Sequence, residues 1–110
     1  LAWEKLLQPA ITLANNGFKM SPRLHKLLLS DIDLFKNNLA VKEIYFNGND
    51  LKPIDSVIQN KPYADTLAII AKHPEDFYRG KLANDIIKVI NNAANKNIYN
   101  KNDFANYHVI

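Results

Sequence analysis

Two stretches of the sequence have apolar residues at helical spacing, and this spacing constrains the fold more than any other feature. From Pro62 to Lys72 apolar side chains recur at i, i+3, i+4 and i+7, and Lys81 to Asn92 shows the same kind of pattern. The residues are Ala64, Leu67, Ala68 and Ala71 in the first stretch, and Leu82, Ala83, Ile86, Val89 and Ile90 in the second. Because this period places one face of an α-helix against a core, the sequence predicts a mainly α fold.

The N-terminal stretch has a similar face and a clear end. Its apolar residues are Trp3, Leu6, Leu7, Ala10, Ile11 and Ala14. Gly17 stands where a left-handed cap would end the helix. Pro9 lacks a backbone donor and clashes with the preceding turn, so it predicts either a kink or two short helices meeting near Gln8.

A second helix start is marked by Ser21 and Pro22, because the serine can accept from a free N–H and the proline suits the first helical position. The buried face expected for this helix comprises Leu24, Leu27 and Leu28. A further short helix is predicted from Asp31 to Phe35, with Asp31 as its cap, and Asn37-Asn38 should end it.

Local signals conflict between Val41 and Leu51. Ile44-Tyr45-Phe46 favours a strand and Asn47-Gly48 is a strong turn dipeptide, so a small hairpin near residues 44–52 stays open without being favoured. Near the C-terminus, Asn100 to Asp103 has the pattern of a capping box that would open a last short turn through Tyr107. Together the signals predict about five to six short helices in a single segment, residues 1–110.

Length and charge narrow the class of protein. A sequence of 110 residues with 47% hydrophobic residues suits one small domain. The net charge of +3 is spread over scattered lysines, and Arg23 and Arg79 are the only arginines, so specific nucleic-acid binding is not expected. No apolar run reaches the length of a membrane span. The start at Leu1 without methionine, and the strand-like Tyr107 to Ile110, suggest a piece of a longer protein.

The sequence predicts no metal or cofactor site. There is no cysteine, and the three histidines, His25, His73 and His108, have no second histidine at a helical ligand spacing. His25 lies off the Leu24/Leu28 face and is expected at the surface. Asp31-x-Asp33 resembles the opening of a calcium loop, but the later ligands are missing.

Phosphate loops and serine nucleophiles are not indicated either. The glycines stand about thirty residues apart, so they form no phosphate-binding loop and no repeat. The serines, Ser21, Ser30 and Ser56, each lie in a stretch better explained by capping or turn chemistry than by activation through a base.

The run from Asp76 to Arg79 allows two interpretations. An acid, two aromatic rings and a guanidinium could bind an anionic ligand. The favoured alternative is an aromatic hinge in which Pro74 starts a helical turn, Phe77 and Tyr78 are buried anchors, and Gly80 reverses the backbone before the next helix. Under that interpretation Arg79 is a surface residue.

Several motifs, taken in order, resemble one known family. They are WEKLLQPAITLA at residues 3–14, GF at 17–18, SPRL at 21–24, TLAIIA at 66–71, FYRG at 77–80 followed by Ala83 and Ile86, and DFANY at 103–107. This ordered set resembles the large chain of γ-glutamyltransferases, also called glutathione hydrolases. The resemblance spans essentially all 110 residues.

The resemblance implies a parent that is an N-terminal-nucleophile hydrolase with an αββα core, made as a precursor that cleaves itself. A threonine in the small chain, outside this segment, would attack γ-glutamyl amides such as glutathione and pass the γ-glutamyl group to water or an amine. The family's arginine for the substrate carboxylate belongs to an upstream motif that Arg23 and Arg79 do not match. No catalytic, substrate-binding, cofactor or metal residue is therefore assigned here, and the segment alone is expected to be inactive.

The resemblance also implies partners and a location. The partners would be the rest of the precursor, meaning the large-chain core and the small chain, with γ-glutamyl substrates for the parent. The family is periplasmic or extracellular, whereas the segment itself indicates no compartment. The alternative is a non-catalytic helical interaction module, and a dimer of the isolated segment could arise from its truncated faces.

The sequence departs from the family pattern in its loops. A family glycine is missing between His73 and Pro74, and Ile54 replaces another before Asp55. Asn60-Lys61 contains an extra residue, and Lys96-Asn97 stands where the family often has Gly-Gly. These changes affect loop geometry more than the fold.

Overall fold

The computed structural model describes residues 2–93 and 99–109 and is mainly helical, as predicted. Its helices are α1 Trp3–Asn16, α2 Pro22–Ser30, α3 Ile32–Lys36, α4 Leu39–Tyr45, α5 Lys61–Lys72, α6 Asp76–Arg79, α7 Lys81–Asn91 and α8 Lys101–Ala105. Its strands are β1 Phe18–Lys19, β2 Phe46–Asn47, β3 Asp50–Leu51 and β4 Val57–Ile58. No helix among these described residues is long and apolar enough to cross a membrane.

The chain divides into two compact units. The first comprises Leu1–Gln8 and Asp65–Ile110, and the second comprises Pro9–Ala64. The boundaries fall inside α1 and α5, so each of these helices contributes to both units. We call them the outer-segment unit and the central unit, after their places in the sequence.

The central unit is built around a small apolar core. Met20 and Ile58 are fully buried and Leu28 is nearly so. Half-buried residues pack against them, namely Leu24, Phe35, Ile44, Tyr45 and Leu51. Strands β1 and β4 pair antiparallel, with Phe18 opposite Ile58, and this pairing brings distant parts of the sequence to the core.

The hairpin left open by the sequence is present. Strands β2 and β3 pair antiparallel, with Asn47 opposite Asp50, and a two-residue loop joins them. Gly48, the first residue of that loop, has a φ of 62°, which suits glycine. The turn dipeptide thus predicted the loop, although the two strands are only two residues long.

Helix α4 is an element that the sequence interpretation missed. Ile44 and Tyr45, which favour a strand by propensity, lie in its last turn. The amide oxygen of Asn38 caps the helix by accepting from the Val41 N–H at 3.2 Å. This cap, together with packing of Ile44 and Tyr45 on the core, outweighs their strand propensity.

The other N-terminal predictions have mixed outcomes. Ser21 caps α2, since its Oγ accepts from the Leu24 N–H at 3.1 Å, as predicted. Asp31 occupies the N-cap position of α3, as predicted, but its side chain makes no capping hydrogen bond. Helix α3 is present and ends before Asn37, as expected.

Helix α1 is continuous through Pro9, so the alternative of two short helices is wrong. Gly17 has a φ of 94°, and its N–H donates to the Leu13 carbonyl at 2.9 Å, which confirms the left-handed cap. Of the predicted apolar face, Ala14 is buried, whereas Trp3 and Leu6 are 49% and 54% exposed. The helical period was right, but the described residues cover only about half of these two side chains.

In the outer-segment unit, Leu67 and Ala71 of α5 and Leu82 and Ala83 of α7 are buried, as their spacing predicted. Val89, assigned to the same face of α7, is 72% exposed instead. It lies near the C-terminal end of the helix, beyond the first turn that holds the buried pair. The Trp3 indole N–H also belongs to this unit and donates to the Ile70 carbonyl at 3.0 Å.

The last predicted helix is confirmed with its capping box. The Asn100 N–H donates to Asp103 Oδ2 at 2.8 Å, and Asn100 Oδ1 accepts from the Asn102 N–H at 2.8 Å. Helix α8 ends at Ala105, before the predicted limit of Tyr107. The Lys96-Asn97 substitution lies outside the described residues.

Candidate functional site

The residues considered as a possible anion-binding site, Asp76 to Arg79, lie between α5 and α7. They fold as the short helix α6. The His73 carbonyl accepts from the Asp76 N–H at 3.0 Å, and the Pro74 carbonyl accepts from the Phe77 N–H at 3.3 Å. These bonds form the helical turn although no glycine separates His73 from Pro74. The missing glycine therefore does not prevent the turn.

Gly80 lies between α6 and α7, as predicted, and has an extended backbone. Its φ is −104° and its ψ is −150°, so it does not adopt the left-handed conformation of a glycine switch. A Cβ at Gly80 would instead overlap the Asp76 carboxylate. Gly80 ends α6 and precedes α7, and its N–H donates to the Asp76 carbonyl at 3.1 Å.

The two aromatic residues of α6 form a small cluster. Phe77 and Tyr78 meet edge to face with ring centroids 5.0 Å apart, and Tyr78 stacks on Tyr107 with centroids 5.7 Å apart. Phe77 is 41% exposed, so only part of its area is buried. The predicted burial of Phe77 is therefore wrong, whereas Tyr78 is half-buried and anchors α6 through its stacking on Tyr107.

Arg79 is exposed, as expected, yet its guanidinium is engaged. Arg79 Nη2 donates to the Ala105 carbonyl at 3.3 Å. This carbonyl belongs to the last turn of α8, where backbone acceptors lack partners and a positive charge is favourable. The bond gives Arg79 a structural role, because it ties α6 to α8.

A pocket lies beside this contact. Its volume is about 260 Å³, and its lining residues are Glu75, Tyr78, Arg79, Tyr107, His108 and Val109. The volume is below the roughly 300 Å³ at which small-molecule sites usually begin. The lining combines a carboxylate and a guanidinium and has no hydroxyl nucleophile other than phenols. The pocket can accommodate a small polar group, but it offers no obvious catalytic pair.

A larger groove lies along α5 and α7 in the same unit. Its volume is about 430 Å³, and its lining residues are Thr66, Ile70, Phe77, Leu82, Asp85, Ile86, Val89 and Ile90. The charged member, Asp85, accepts from Lys81 Nζ at 2.6 Å one helical turn away. The groove is therefore a mainly apolar surface, and its lining residues suggest no catalytic group.

The remaining candidates are held in local contacts. Ser30 Oγ donates to the Leu27 carbonyl at 2.7 Å, and Ser56 Oγ donates to the Pro53 carbonyl at 2.6 Å. His25 is half-buried, more than expected, and His73 Nδ1 lies 3.4 Å from Glu75 Oε1 at the surface. Within residues 2–93 and 99–109, no group of three or more His, Asp or Glu side chains could hold a metal.

The comparisons with known proteins agree on one family. A family model for gamma-glutamyltranspeptidase matches residues 1–110. Glutathione hydrolase proenzyme 2 of Schizosaccharomyces pombe is 36% identical over 113 residues, covering 100% of this chain and 18% of that protein. The acylase ACY 1 proenzyme of Pseudomonas sp. (strain V22) is 31% identical over 106 residues, covering 96% of this chain and 19% of that protein.

A solved structure supports the same relationship. The gamma-glutamyltranspeptidase of Helicobacter pylori matches with a TM-score of 0.81 at 29% identity, covering 96% of this chain and 30% of that chain. The present sequence thus spans about a fifth of the length of the two curated relatives.

Proposed function

The chain belongs to the gamma-glutamyltranspeptidase family, and we propose that it is a structural helical part of an enzyme that cleaves γ-glutamyl amides such as glutathione. The match of the family model over residues 1–110 carries this proposal. The name of the Schizosaccharomyces pombe relative, a glutathione hydrolase proenzyme, supports both the substrate class and a precursor that is processed.

In the proposed reaction, the nucleophile is a threonine outside this segment. Its hydroxyl attacks the γ-glutamyl carbonyl, its own α-amino group takes the proton, and an oxyanion hole stabilises the intermediate. The amine leaves with a proton, and water or a second amine releases the γ-glutamyl group. In this proposal the 110-residue segment is a folded support for that centre and contacts no reacting atom.

The exposed apolar side chains support a role within a larger assembly. Leu34 and Leu39 of the central unit are 70% and 78% exposed, and Val89 of the outer-segment unit is 72% exposed. Scattered exposed leucines are ordinary. Trp3 and Leu6, however, share one face of α1, and about half of each side chain is exposed. Such faces suit packing against the large-chain core and the small chain.

We expect the isolated 110-residue segment to release no product from a chromogenic γ-glutamyl amide, because the proposal places the nucleophile elsewhere. Absorbance of the released chromophore would be followed against a buffer blank, with an active gamma-glutamyltranspeptidase as positive control. Turnover above the blank would refute the inactive-support role. The proposed mechanism makes a separate demand: the full reading frame should contain a downstream threonine that becomes an N-terminus.

Arg79→Gln should leave catalysis by the full enzyme nearly unchanged, since Arg79 bonds to Ala105 rather than to substrate. We expect kcat/KM for a γ-glutamyl amide to stay within about twofold of the parent. Arg23→Gln is the matched control, because it removes the other arginine of the sequence. A loss of tenfold or more in Arg79→Gln alone, with thermal stability retained, would show that Arg79 binds the substrate carboxylate.

The acylase relative favours a second candidate, an amidase that accepts other acyl groups. The full enzyme would be assayed with a γ-glutamyl anilide and with an acyl anilide that lacks the α-amino and α-carboxylate groups. Preference for the first substrate supports the main proposal, and preference for the second supports the acylase.

A stand-alone interaction module is the remaining alternative, and the same exposed faces would serve it. Light scattering of the isolated segment and of the full protein would separate the two cases. A dimer of the isolated segment that disappears in the full protein indicates exposed faces left by truncation. Binding of the isolated segment to the remainder of the precursor would favour the structural role.

A further inference from the structure

The sequence holds two Asn-Gly pairs, Asn16-Gly17 and Asn47-Gly48, and the fold places them in opposite environments. We propose that Asn47 is a site of spontaneous deamidation, and that the fold protects Asn16 from the same reaction. The two pairs have the same local chemistry, so any difference between them must come from the structure.

The reaction is an intramolecular displacement. The backbone nitrogen of the glycine loses its proton and attacks the asparagine Cγ, so that a new bond forms between these two atoms. The bond from Cγ to the amide nitrogen Nδ2 breaks, and that nitrogen leaves as ammonia. Water then opens the five-membered succinimide at either carbonyl and leaves aspartate or isoaspartate. One water is consumed and one ammonia is released, with no oxidant or cofactor required.

Asn47-Gly48 lies at an exposed and loosely packed end of the β2–β3 hairpin. Both residues and the two that follow are exposed, and an added Cβ at Gly48 would meet no atom within 4 Å. Among the described residues, the Gly48 N–H donates no backbone hydrogen bond outside the strand ladder. Lys42 Nζ donates to Asn49 Oδ1 at 2.7 Å, so a positive charge lies beside the loop and favours both the deprotonated nitrogen and the carboxylate product.

Asn16-Gly17 is held against ring closure. Asn16 is the last residue of α1, and the Gly17 N–H is bound to the Leu13 carbonyl at 2.9 Å. Gly17 is also packed tightly, since an added Cβ would lie 2.9 Å from the Ile58 carbonyl oxygen. The nitrogen is therefore available only after this end of α1 opens.

The test follows both sites in one sample. The purified protein would be incubated at mildly alkaline pH, digested, and analysed by tandem mass spectrometry, which locates each conversion of amide to carboxylate. We expect Asn47 to convert at least about tenfold faster than Asn16, which corresponds to a local opening cost of about 1.4 kcal/mol for Asn16. Asn47→Gln should remove the faster conversion, and Asn16→Gln should leave it unchanged.

Incubation in concentrated urea provides the decisive control. Once the fold is lost, the two Asn-Gly pairs should convert at similar rates. Equal rates in the folded protein, or an Asn47 that stays intact, would overturn the proposal. A large difference that persists in urea would also overturn it, because local sequence rather than the fold would then set the rates.

Discussion

Gly17→Ala is expected to destabilise the central unit by about 2 to 5 kcal/mol. A non-glycine residue in the left-handed region costs about 1–2 kcal/mol, and overpacking a tight site costs about 1–3 kcal/mol more. Gly17 combines both causes: its φ is 94°, and a Cβ would lie 2.6 Å from Val57 Cγ1 and 2.9 Å from the Ile58 carbonyl oxygen. The rigid backbone of β4 prevents an easy adjustment. Urea unfolding followed by circular dichroism measures the loss.

Gly48→Ala is the matched control for this substitution. Gly48 also has a positive φ, 62°, but no atom lies within 4 Å of its added Cβ. It should lose only the backbone contribution, about 1–2 kcal/mol. The difference between the two variants isolates the packing of Gly17 on β4. Equal losses would show that this close approach contributes nothing to stability.

Local signals predicted much of the fold because their partners lie within a few residues. Ser21 and Asn100 cap their helices through neighbouring N–H groups, and the periods of α5 and α7 identified buried leucines correctly. The same logic could have found α4, since Asn38 stands three residues before Val41 as a cap. Strand propensity at Ile44 and Tyr45 outweighed that weaker signal in the sequence interpretation.

Features that depend on distant partners were not accessible. Arg79 bonds a carbonyl 26 residues away, and Phe18 pairs with Ile58 although a long stretch of sequence separates them. Nothing near Arg79 in the sequence indicates the Ala105 carbonyl.

Exposed residues on the predicted apolar faces show a further limit of predicting burial from sequence. Spacing reports which side chains share a helix face, but it does not report whether anything covers that face. Leu27 and Leu28 of α2 illustrate this, because the first is 52% exposed and the second 6% exposed although both were assigned to one buried face. The prediction for Leu27 is wrong among the described residues, and these two leucines supply a matched experiment.

Leu28→Ala should destabilise the central unit by about 2 to 5 kcal/mol, the range found when a buried leucine is truncated. Leu28 belongs to the core with Met20 and Ile58, and truncating it leaves a cavity among them. Leu27→Ala should cost less than about 1 kcal/mol, because little packing is lost and alanine has the higher helix propensity. Urea midpoints of the two variants, measured in the isolated 110-residue segment, give the comparison.

The Leu27→Ala and Leu28→Ala substitutions also test the proposed structural role when they are made in the full protein. If the large-chain core or the small chain packs over α2, Leu27→Ala should cost more there than in the isolated segment, because a covered leucine has contacts to lose. Leu28→Ala should change little between the two settings, since its contacts lie within the central unit. A Leu27 effect that stays small in the full protein would show that this face remains in water. A Leu28 effect no larger than that of Leu27 in the isolated segment would contradict the assignment of the core itself.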